Sequence, residues 1–202
     1  MYVKAKNIQC PNIRNSYHLV TMTPNGALLQ GRKTCRTFAA SFEITIINNK
    51  IMKQIEMIKS GKNYAAVSVG KMNEIIEHVL PMGPDVTIQG KVFAGQALGA
   101  TGSELSFQTL VPGQDSGFLH THKTHEELYF ILKGEGHYQV DGEIFPVSEG
   151  SIIRVSPNGK RALKNTGKEN LTMLCVQYKA NAFTEADSPM TDGTILPDEL
   201  KW

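Results

Sequence analysis

The segment from His120 to Gly134 carries the side chains best suited to chemistry. It reads HTHKTHEELYFILKG, so His120 and His122 are two residues apart and Glu127 follows five residues later. Side chains at positions i and i+2 of an extended segment project to the same side, and a carboxylate at the base of the next strand can meet them. Two imidazoles and one carboxylate suit a divalent metal with open coordination positions. We therefore predict a metal site formed by His120, His122 and Glu127.

Four further side chains are candidates for the same pocket. His125 is an additional candidate metal ligand, because it lies on the same connection, three residues past the second histidine. Tyr129 lies two residues after Glu127 on the same predicted strand, so the two side chains share a face and the Tyr129 hydroxyl can reach a bound molecule. Arg154 and Arg161 can hold an acidic substrate through bidentate contacts. Each has a structural alternative: a solvated turn histidine, a packed tyrosine, or arginines that pair with strand carboxylates. The sequence assigns no catalytic residue.

The elements expected to position these residues are short strands separated by turn residues. Predicted strands cover residues 64–69, 105–111, 117–121, 127–132, 136–140, 143–147, 151–155, 161–165 and 171–179. Asp141-Gly142 lies between two of them and predicts a tight hairpin. A helical period over residues 71–80 predicts a short helix that ends at Pro81. Many short strands at near-regular spacing indicate an all-β sandwich or barrel.

The strand over residues 128–132 is apolar at both parities, LYFIL. A strand with one face in water should alternate, so both of its faces are expected to be covered. The barrel interior covers one face. A second sheet, the strand at 64–69 or a partner subunit can cover the other, and we favour a homodimer.

The first part of the chain differs in composition from the rest. Residues 1–60 hold nine Lys and Arg but two Asp and Glu, and residues 1–42 hold no acidic residue. We predict that residues 1–56 form an N-terminal extension, either disordered or not part of the native domain, and that residues 57–202 form the main domain. Order within the extension is expected at a strand over 42–47 and a short helix over 50–59. An organellar transit peptide and a start at Met57 are alternatives.

Composition excludes several classes of protein. The three cysteines are odd in number and form no C-x-x-C, which argues against a disulfide framework or a cysteine-based zinc site. A net charge of +2 and scattered basic residues argue against a nucleic-acid partner. No apolar run approaches the roughly 18 residues of a membrane-spanning helix, and no leader segment is evident. We expect a cytoplasmic protein with no membrane partner.

Two motifs resemble those of the cupin superfamily, specifically its small single-domain type. The first has Gly113, then His120 and His122, Glu127 after four residues, and Gly134. The second has Gly150 and the sequence PNGKRALKN, which ends at Asn165 and resembles the family pattern Pro-x-Gly-x-x-His-x-x-x-Asn. Counted from the glycine of this pattern, the family's histidine, its fourth metal ligand, is replaced by Ala162.

This resemblance implies a double-stranded β-helix, the cupin jelly-roll barrel, over about residues 85–180. Cupins include oxygenases, isomerases, decarboxylases and proteins that only bind ligands, so the fold alone does not name the reaction. The main hypothesis is a divalent-metal site (Fe, Mn, Ni or Zn) that acts on or binds a small polar molecule. The alternative is a non-catalytic cupin that binds a sugar or a small acid without metal, and Ala162 favours this alternative.

Overall fold

A computed structural model describes the backbone of residues 34–37, 40–43, 46–47, 50–83 and 86–202, and the side chains of residues 52–83 and 86–202. The chain divides into two compact units, Met1–Ile51 and Met52–Trp202. Most of the predicted N-terminal extension lies outside the described residues, so its disorder stays a prediction. The second unit begins at Met52, which is buried, and Ile55 packs against the core of that unit.

The described elements are mainly strands. In the first unit these are β1 (Thr34–Thr37), β2 (Ala40–Glu43), β3 (Ile46–Ile47) and β4 (Lys50–Ile51). In the second unit they are β5 (Glu56–Gly61), β6 (Tyr64–Ser68), β7 (Val79–Pro81), β8 (Thr87–Gln89), β9 (Lys91–Phe93), β10 (Ser103–Leu110), β11 (His125–Lys133), β12 (Glu135–Val140), β13 (Glu143–Ser148), β14 (Ile152–Val155), β15 (Arg161–Asn165) and β16 (Leu171–Lys179). The helices are short: two 3₁₀ helices (Met72–Glu77 and Glu185–Asp187), α1 (Gly95–Leu98) and α2 (Pro189–Asp192).

Two antiparallel sheets form the barrel. One has the order β14-β11-β16-β10-β9 and the other the order β13-β12-β15. Buried side chains from both sheets meet in one core, in which the rings of Tyr129 and Tyr138 pack edge to face with centroids 5.1 Å apart. Alternation along β11 directs Glu127, Tyr129 and Ile131 into this core. The double-stranded β-helix predicted from the resemblance is confirmed.

The predicted hairpin at Asp141-Gly142 is confirmed. Both residues have positive φ, 52° and 93°, the conformation of a type I′ turn. The turn joins β12 to β13 in register from Val140 opposite Glu143. Most predicted strands agree with the observed ones within two residues, but the prediction for 117–121 is wrong. Only an isolated bridge forms there, between His120 and Arg161.

The helix predictions were less accurate. The helix predicted over 71–80 is present only in part, as the 3₁₀ helix Met72–Glu77, after which His78 is extended and β7 begins. The helix predicted over 50–59 is wrong, because β4 and β5 occupy that range. In both cases pairing with a neighbouring strand overrides the local apolar spacing: β7 pairs with β8 and β5 pairs with β6.

The outer face of β11 carries the second apolar set of this strand. Leu128, Phe130 and Leu132 are half-buried there. A second apolar cluster, which includes Ile75 and Val92, lies between the N-terminal elements of this unit and the sheet at β9–β10. Among the helices in the described part of the chain, none is long and apolar enough to cross a bilayer.

Candidate functional site

The connection that carries the two histidines is held against β15 by backbone hydrogen bonds. The Arg161 amide donates to the His120 carbonyl at 3.1 Å, and the His120 amide donates to the Arg161 carbonyl at 3.4 Å. The His122 amide donates to the Pro157 carbonyl at 2.8 Å. These bonds fix the His120-Thr121-His122 backbone beside the start of β11, although the segment is not a strand.

The predicted metal-site residues lie together. One candidate ligand atom from each of His120, His122 and Glu127 lies within 4.8 Å of the others. The His122 Nε2 atom is 3.1 Å from Glu127 Oε1, and the His120 Nε2 atom is 3.8 Å from Glu127 Oε2. The His122 contact has the distance of an ion pair but not the angle of a hydrogen bond, so this ring nitrogen has no hydrogen-bond partner among the described residues. The spacing inferred from the sequence therefore corresponds to a real cluster.

Glu127 is the centre of a dense polar network. The Tyr129 hydroxyl donates to Oε2 at 2.6 Å, and the Gln177 amide donates to Oε1 at 2.7 Å. Burial acts to raise the pKa of the Glu127 carboxyl, but the His120 ring and these two hydrogen bonds outweigh it and lower the pKa. Glu127 is therefore a carboxylate that is 2% exposed and held in one orientation. Tyr129, predicted to contact substrate, lines the cavity but directs its hydroxyl to this carboxylate.

Arg161 completes the network from the opposite sheet. Its side chain is fully buried, and its Nε atom lies 3.1 Å from Glu127 Oε2. The rest of the guanidinium donates to backbone carbonyls, with Nη2 3.2 Å from the Ser156 oxygen and Nη1 3.4 Å from the Pro157 oxygen. The charge of the carboxylate is thus balanced inside the barrel by the guanidinium, so Arg161 takes the structural alternative given for it above, pairing with a strand carboxylate, while it also lines the cavity.

Arg161, and not Ala162, projects towards the metal-site residues. Arg161, Leu163 and Asn165 are the buried positions of β15, and Ala162 lies at the alternate parity. Ala162 borders the cavity, but its Cβ belongs to the other face of the strand. The substitution inferred at position 162 therefore does not describe what stands opposite Glu127.

A divalent metal fits this donor set by spacing but not by charge. Three ligand atoms within 4.8 Å can surround an ion, and three protein ligands suffice in many catalytic sites. However, the carboxylate that would neutralise the ion already faces a buried guanidinium. An arginine guanidinium keeps its charge in proteins, so it would repel the ion at short range. As arranged, these residues do not fit a metal.

A cavity of about 180 Å³ opens beside the network. Its polar end includes His120, His122, Glu127, Arg161 and Gln177. The other walls are mainly apolar and come from the β7–β8 hairpin, from both sheets and from the connection before β11: Leu80, Met82, Ile88, Phe93, Phe118, Tyr138, Leu163, Met173 and Cys175. Burial lowers the pKa of His122, which favours its neutral imidazole towards this space.

Lys91 is a cavity residue that sequence reasoning missed. It lies on β9, where its Nζ atom is 3.4 Å from Gln108 Oε1 and 5.3 Å from the centroid of the Phe93 ring. Burial lowers its pKa from the ordinary 10.5. Among the residues with described side chains, no carboxylate lies within ion-pair distance of Lys91. No motif marks this lysine, because β9 reaches the cavity only through its pairing with β10.

Two predicted site residues lie elsewhere. Arg154 is more than half exposed and binds Glu126 at 2.5 Å and Ser156 at 3.2 Å, so it does not line the cavity. His125 stacks on His122 with ring centroids 3.7 Å apart. It is neither in the cluster of candidate ligand atoms nor in the cavity wall. The predicted substrate contact of Arg154 and the predicted ligand role of His125 therefore gain no support from geometry.

Comparison with known proteins identifies the family. Residues 106–177 match the family model described as the cupin domain. The crystal structure of a cupin protein from Bacteroides fragilis is 32% identical, covers 58% of this chain and 94% of that chain, and superposes with a TM-score of 0.50. The chain belongs to the cupin superfamily. The residues that match the family model include both motifs and the strands from β11 to β15.

Sequence relatives of this cupin match only part of the chain. An uncharacterized protein from Methanocaldococcus jannaschii is 37% identical over 71 residues, which is 35% of this chain and 57% of that protein. A protein from Thermotoga maritima named an oxalate-binding protein is 34% identical over 67 residues, 33% of this chain and 54% of that protein. The chain thus matches little more than half the length of these two relatives.

Proposed function

We propose that this cupin binds a small organic acid in its barrel cavity, through protein side chains and without a metal. The observation that carries the proposal is the charge of the cavity wall. Among the described residues of the wall, Lys91 and Arg161 supply two cations and Glu127 supplies the one carboxylate. Glu127 is already paired with Arg161, so the Lys91 ammonium is the cation left for a ligand. A half-buried ammonium with no anionic partner among the described side chains is unfavourable, and a bound carboxylate would supply that partner.

The cavity also limits the size and shape of the acid. Its volume of about 180 Å³ is comparable with the ~150 Å³ cavity that holds benzene in an engineered protein. A ligand of about six to ten non-hydrogen atoms is therefore expected. Its carboxylate would face Lys91, its polar atoms the neutral His122 ring and Gln177, and its carbon skeleton the apolar wall at Leu80 and Ile88. The name of the Thermotoga maritima relative, an oxalate-binding protein, agrees with an acidic ligand.

The proposal can be tested by calorimetric titration with a panel of small mono- and dicarboxylic acids and their matched amides. Acids should bind and amides should not. Replacing Lys91 with Gln should weaken acid binding on the order of 10- to 100-fold, because a charge-assisted contact contributes about 1.5–3 kcal/mol. Lys164→Gln is the matched control, since Lys164 is exposed on β15. Equal binding of acids and amides, or equal effects of the two lysine substitutions, would exclude the proposal.

A metal-dependent enzyme acting on a small polar molecule, as an oxygenase or isomerase does, is the second candidate. The spacing of His120, His122 and Glu127 favours it. In this candidate these residues would have to hold the ion against the buried charge of Arg161, and a bound Fe, Mn, Ni or Zn would then supply a Lewis acid or an oxygen-binding centre. Elemental analysis of protein purified without a histidine tag separates the candidates. Stoichiometric metal that is lost in His122→Ala would favour the enzyme over the metal-free binder.

We also propose that the chain forms a homodimer through the outer face of β11. The half-buried Leu128, Phe130 and Leu132 support this proposal. Light scattering coupled to size exclusion should give twice the chain mass of 22.3 kDa, and Phe130→Glu should reduce it to one chain. A monomeric mass for the unmodified protein would rule the dimer out.

A further inference from the structure

We propose that Arg161 performs the charge-neutralising task that a metal would perform at His120, His122 and Glu127, and so makes the cluster a metal-excluding site. The guanidinium lies at the carboxylate that a metal would need, and it is fully buried. The histidines then serve the cavity as hydrogen-bonding groups instead of ligands. This role of Arg161 concerns the cluster itself and holds whether or not the ligand is an acid.

The length of one segment brings Arg161 into this position. The resembled pattern places six residues between its glycine and its asparagine, whereas this chain has five between Gly159 and Asn165. Asn165 is buried and fixed, because its Nδ2 atom donates to the carbonyls of Leu110 at 2.8 Å and of Glu169 at 2.7 Å. With the asparagine anchored, the residue four positions before it takes the inward place, and that residue is Arg161.

The other end of the segment is anchored as well. The Lys160 amide donates to Asp141 Oδ1 at 2.9 Å, and the Asp141 amide donates to the Lys160 carbonyl at 2.9 Å. Between these anchors Arg161 pairs with Val140 on β12. The inward direction of the arginine therefore follows from the strand register, and not from a chance rotamer at a flexible turn.

The guanidinium is enclosed by protein groups. Its side chain is 0% exposed, and its nitrogens lie against Glu127 and the carbonyl oxygens of His120, Ser156 and Pro157. Any ion bound within the donor cluster would lie only a few ångströms from this fixed positive charge. Since the guanidinium is buried, solvent would screen this repulsion less than it would between two exposed charges.

The two histidines contact both the carboxylate and the cavity. The His122 Nε2 atom faces Glu127 Oε1 at 3.1 Å, and the His120 Nε2 atom faces Glu127 Oε2 at 3.8 Å. Both residues also line the adjoining cavity. With Arg161 in place, each imidazole is a hydrogen-bonding group, which suits a small polar molecule there.

The test is to replace the guanidinium with a metal-binding side chain and to measure metal binding directly. Untagged full-length protein is titrated with Co²⁺ by calorimetry, while the visible absorption of bound cobalt reports its coordination. Arg161→His removes the like charge and adds a nitrogen on the inward face. Ala162→His, one residue away at the alternate parity, is the matched control. Arg161→Gln removes the charge without adding an imidazole and keeps the test decisive if the histidine variant does not fold.

The expected result is weak or no Co²⁺ binding by the unmodified protein and by Ala162→His. Arg161→His should bind one Co²⁺ per chain at least about 100-fold more tightly, and Arg161→Gln about 10-fold more tightly, since outer-sphere changes alone alter metal affinity by about 10- to 100-fold. Adding His122→Ala to Arg161→His should abolish the gain.

Three results would overturn the proposal. One is tight, stoichiometric Co²⁺ binding by the unmodified protein that His122→Ala removes. Another is unchanged affinity in folded Arg161→His and Arg161→Gln. The third is a gain in Ala162→His equal to that in Arg161→His, which would mean that position 162 faces the cluster.

Discussion

Removing the negative charge of Glu127 should destabilise the protein far more than removing a similar charge at its surface. Glu127 is 2% exposed and Arg161 is 0% exposed, and their charged groups are 3.1 Å apart. In Glu127→Gln the side chain keeps its shape, and its carbonyl can still accept from Tyr129 or Gln177. The guanidinium, however, loses its only counter-ion among the described side chains. Breaking a buried pair from one side costs about 3–5 kcal/mol.

That cost is large against a total stability of about 5–15 kcal/mol for a typical domain. The cost of Glu127→Gln should be smaller when the unpaired Arg161 charge is also removed. The double variant Glu127→Gln with Arg161→Met should therefore be more stable than the sum of the two single effects implies. We expect a coupling energy of about 2–3 kcal/mol for this buried pair. Glu126 and Arg154 offer the matched control, since Arg154 is more than half exposed. Their coupling should stay below about 1 kcal/mol.

The assay is urea unfolding of all variants in the presence of a chelator, followed by far-UV circular dichroism. Fluorescence is a poor reporter, because the single tryptophan, Trp202, is fully exposed. If Glu127→Gln costs under about 1 kcal/mol, or if the Glu127–Arg161 coupling is no larger than the Glu126–Arg154 coupling, the reasoning from a buried, mutually neutralising pair is refuted.

Three further outcomes follow from the structure. Asn165→Ala should cost about 2–3 kcal/mol in urea unfolding, because the buried Leu110 carbonyl and the partly buried Glu169 carbonyl lose their donor; a loss under about 0.5 kcal/mol would contradict this anchoring role. Gly136→Ala should reduce the melting temperature markedly, since a Cβ there would overlap the Lys164 carbonyl, and an unchanged melting temperature would contradict this contact. Burial raises the pKa of the Cys175 thiol to about 12, so iodoacetamide at pH 8 should modify Cys175 only after unfolding, as measured by peptide mass mapping; labelling of the folded protein at the rate of a free thiol would contradict this burial.

Much of the barrel could be predicted because turn residues in the sequence mark the ends of its strands. The Asp141-Gly142 turn fixes one hairpin, and β15 and β16 were predicted with their observed bounds. The failures are short elements whose conformation depends on a partner. β7 continues an apolar helical period but pairs with β8, and β9 has three residues. A three-residue strand has too little periodicity to be detected before its neighbour is known.

The candidate site was predicted by residue type but not by charge. Spacing brought His120, His122 and Glu127 together correctly, because parity along extended backbone is a local property. Arg161 and Lys91 lie on other strands, and their positions depend on strand register across the barrel. When the motif is aligned from its glycine, the position of the fourth metal ligand falls on Ala162. The segment between Gly159 and Asn165 is one residue shorter than in the family pattern, so that Arg161 points inward instead. A slip of one residue exchanges the faces of a strand, and here it replaces a ligand position with a cation.

The charge of Arg161 determines whether the charge of Lys91 can attract an acidic ligand. If Arg161 were absent, Glu127 would be an unpaired carboxylate at the polar end of the cavity and would repel an acidic ligand. Because Arg161 pairs with Glu127, the carboxylate is neutralised and Lys91 remains to attract the acid. Arg161→Gln should therefore weaken acid binding while it strengthens Co²⁺ binding, although Arg161 need not touch the acid. Lys91→Gln should weaken acid binding and leave Co²⁺ binding nearly unchanged. If Arg161→Gln changes acid binding and Co²⁺ binding in opposite directions, while Lys91→Gln changes acid binding alone, the two cations have different functions.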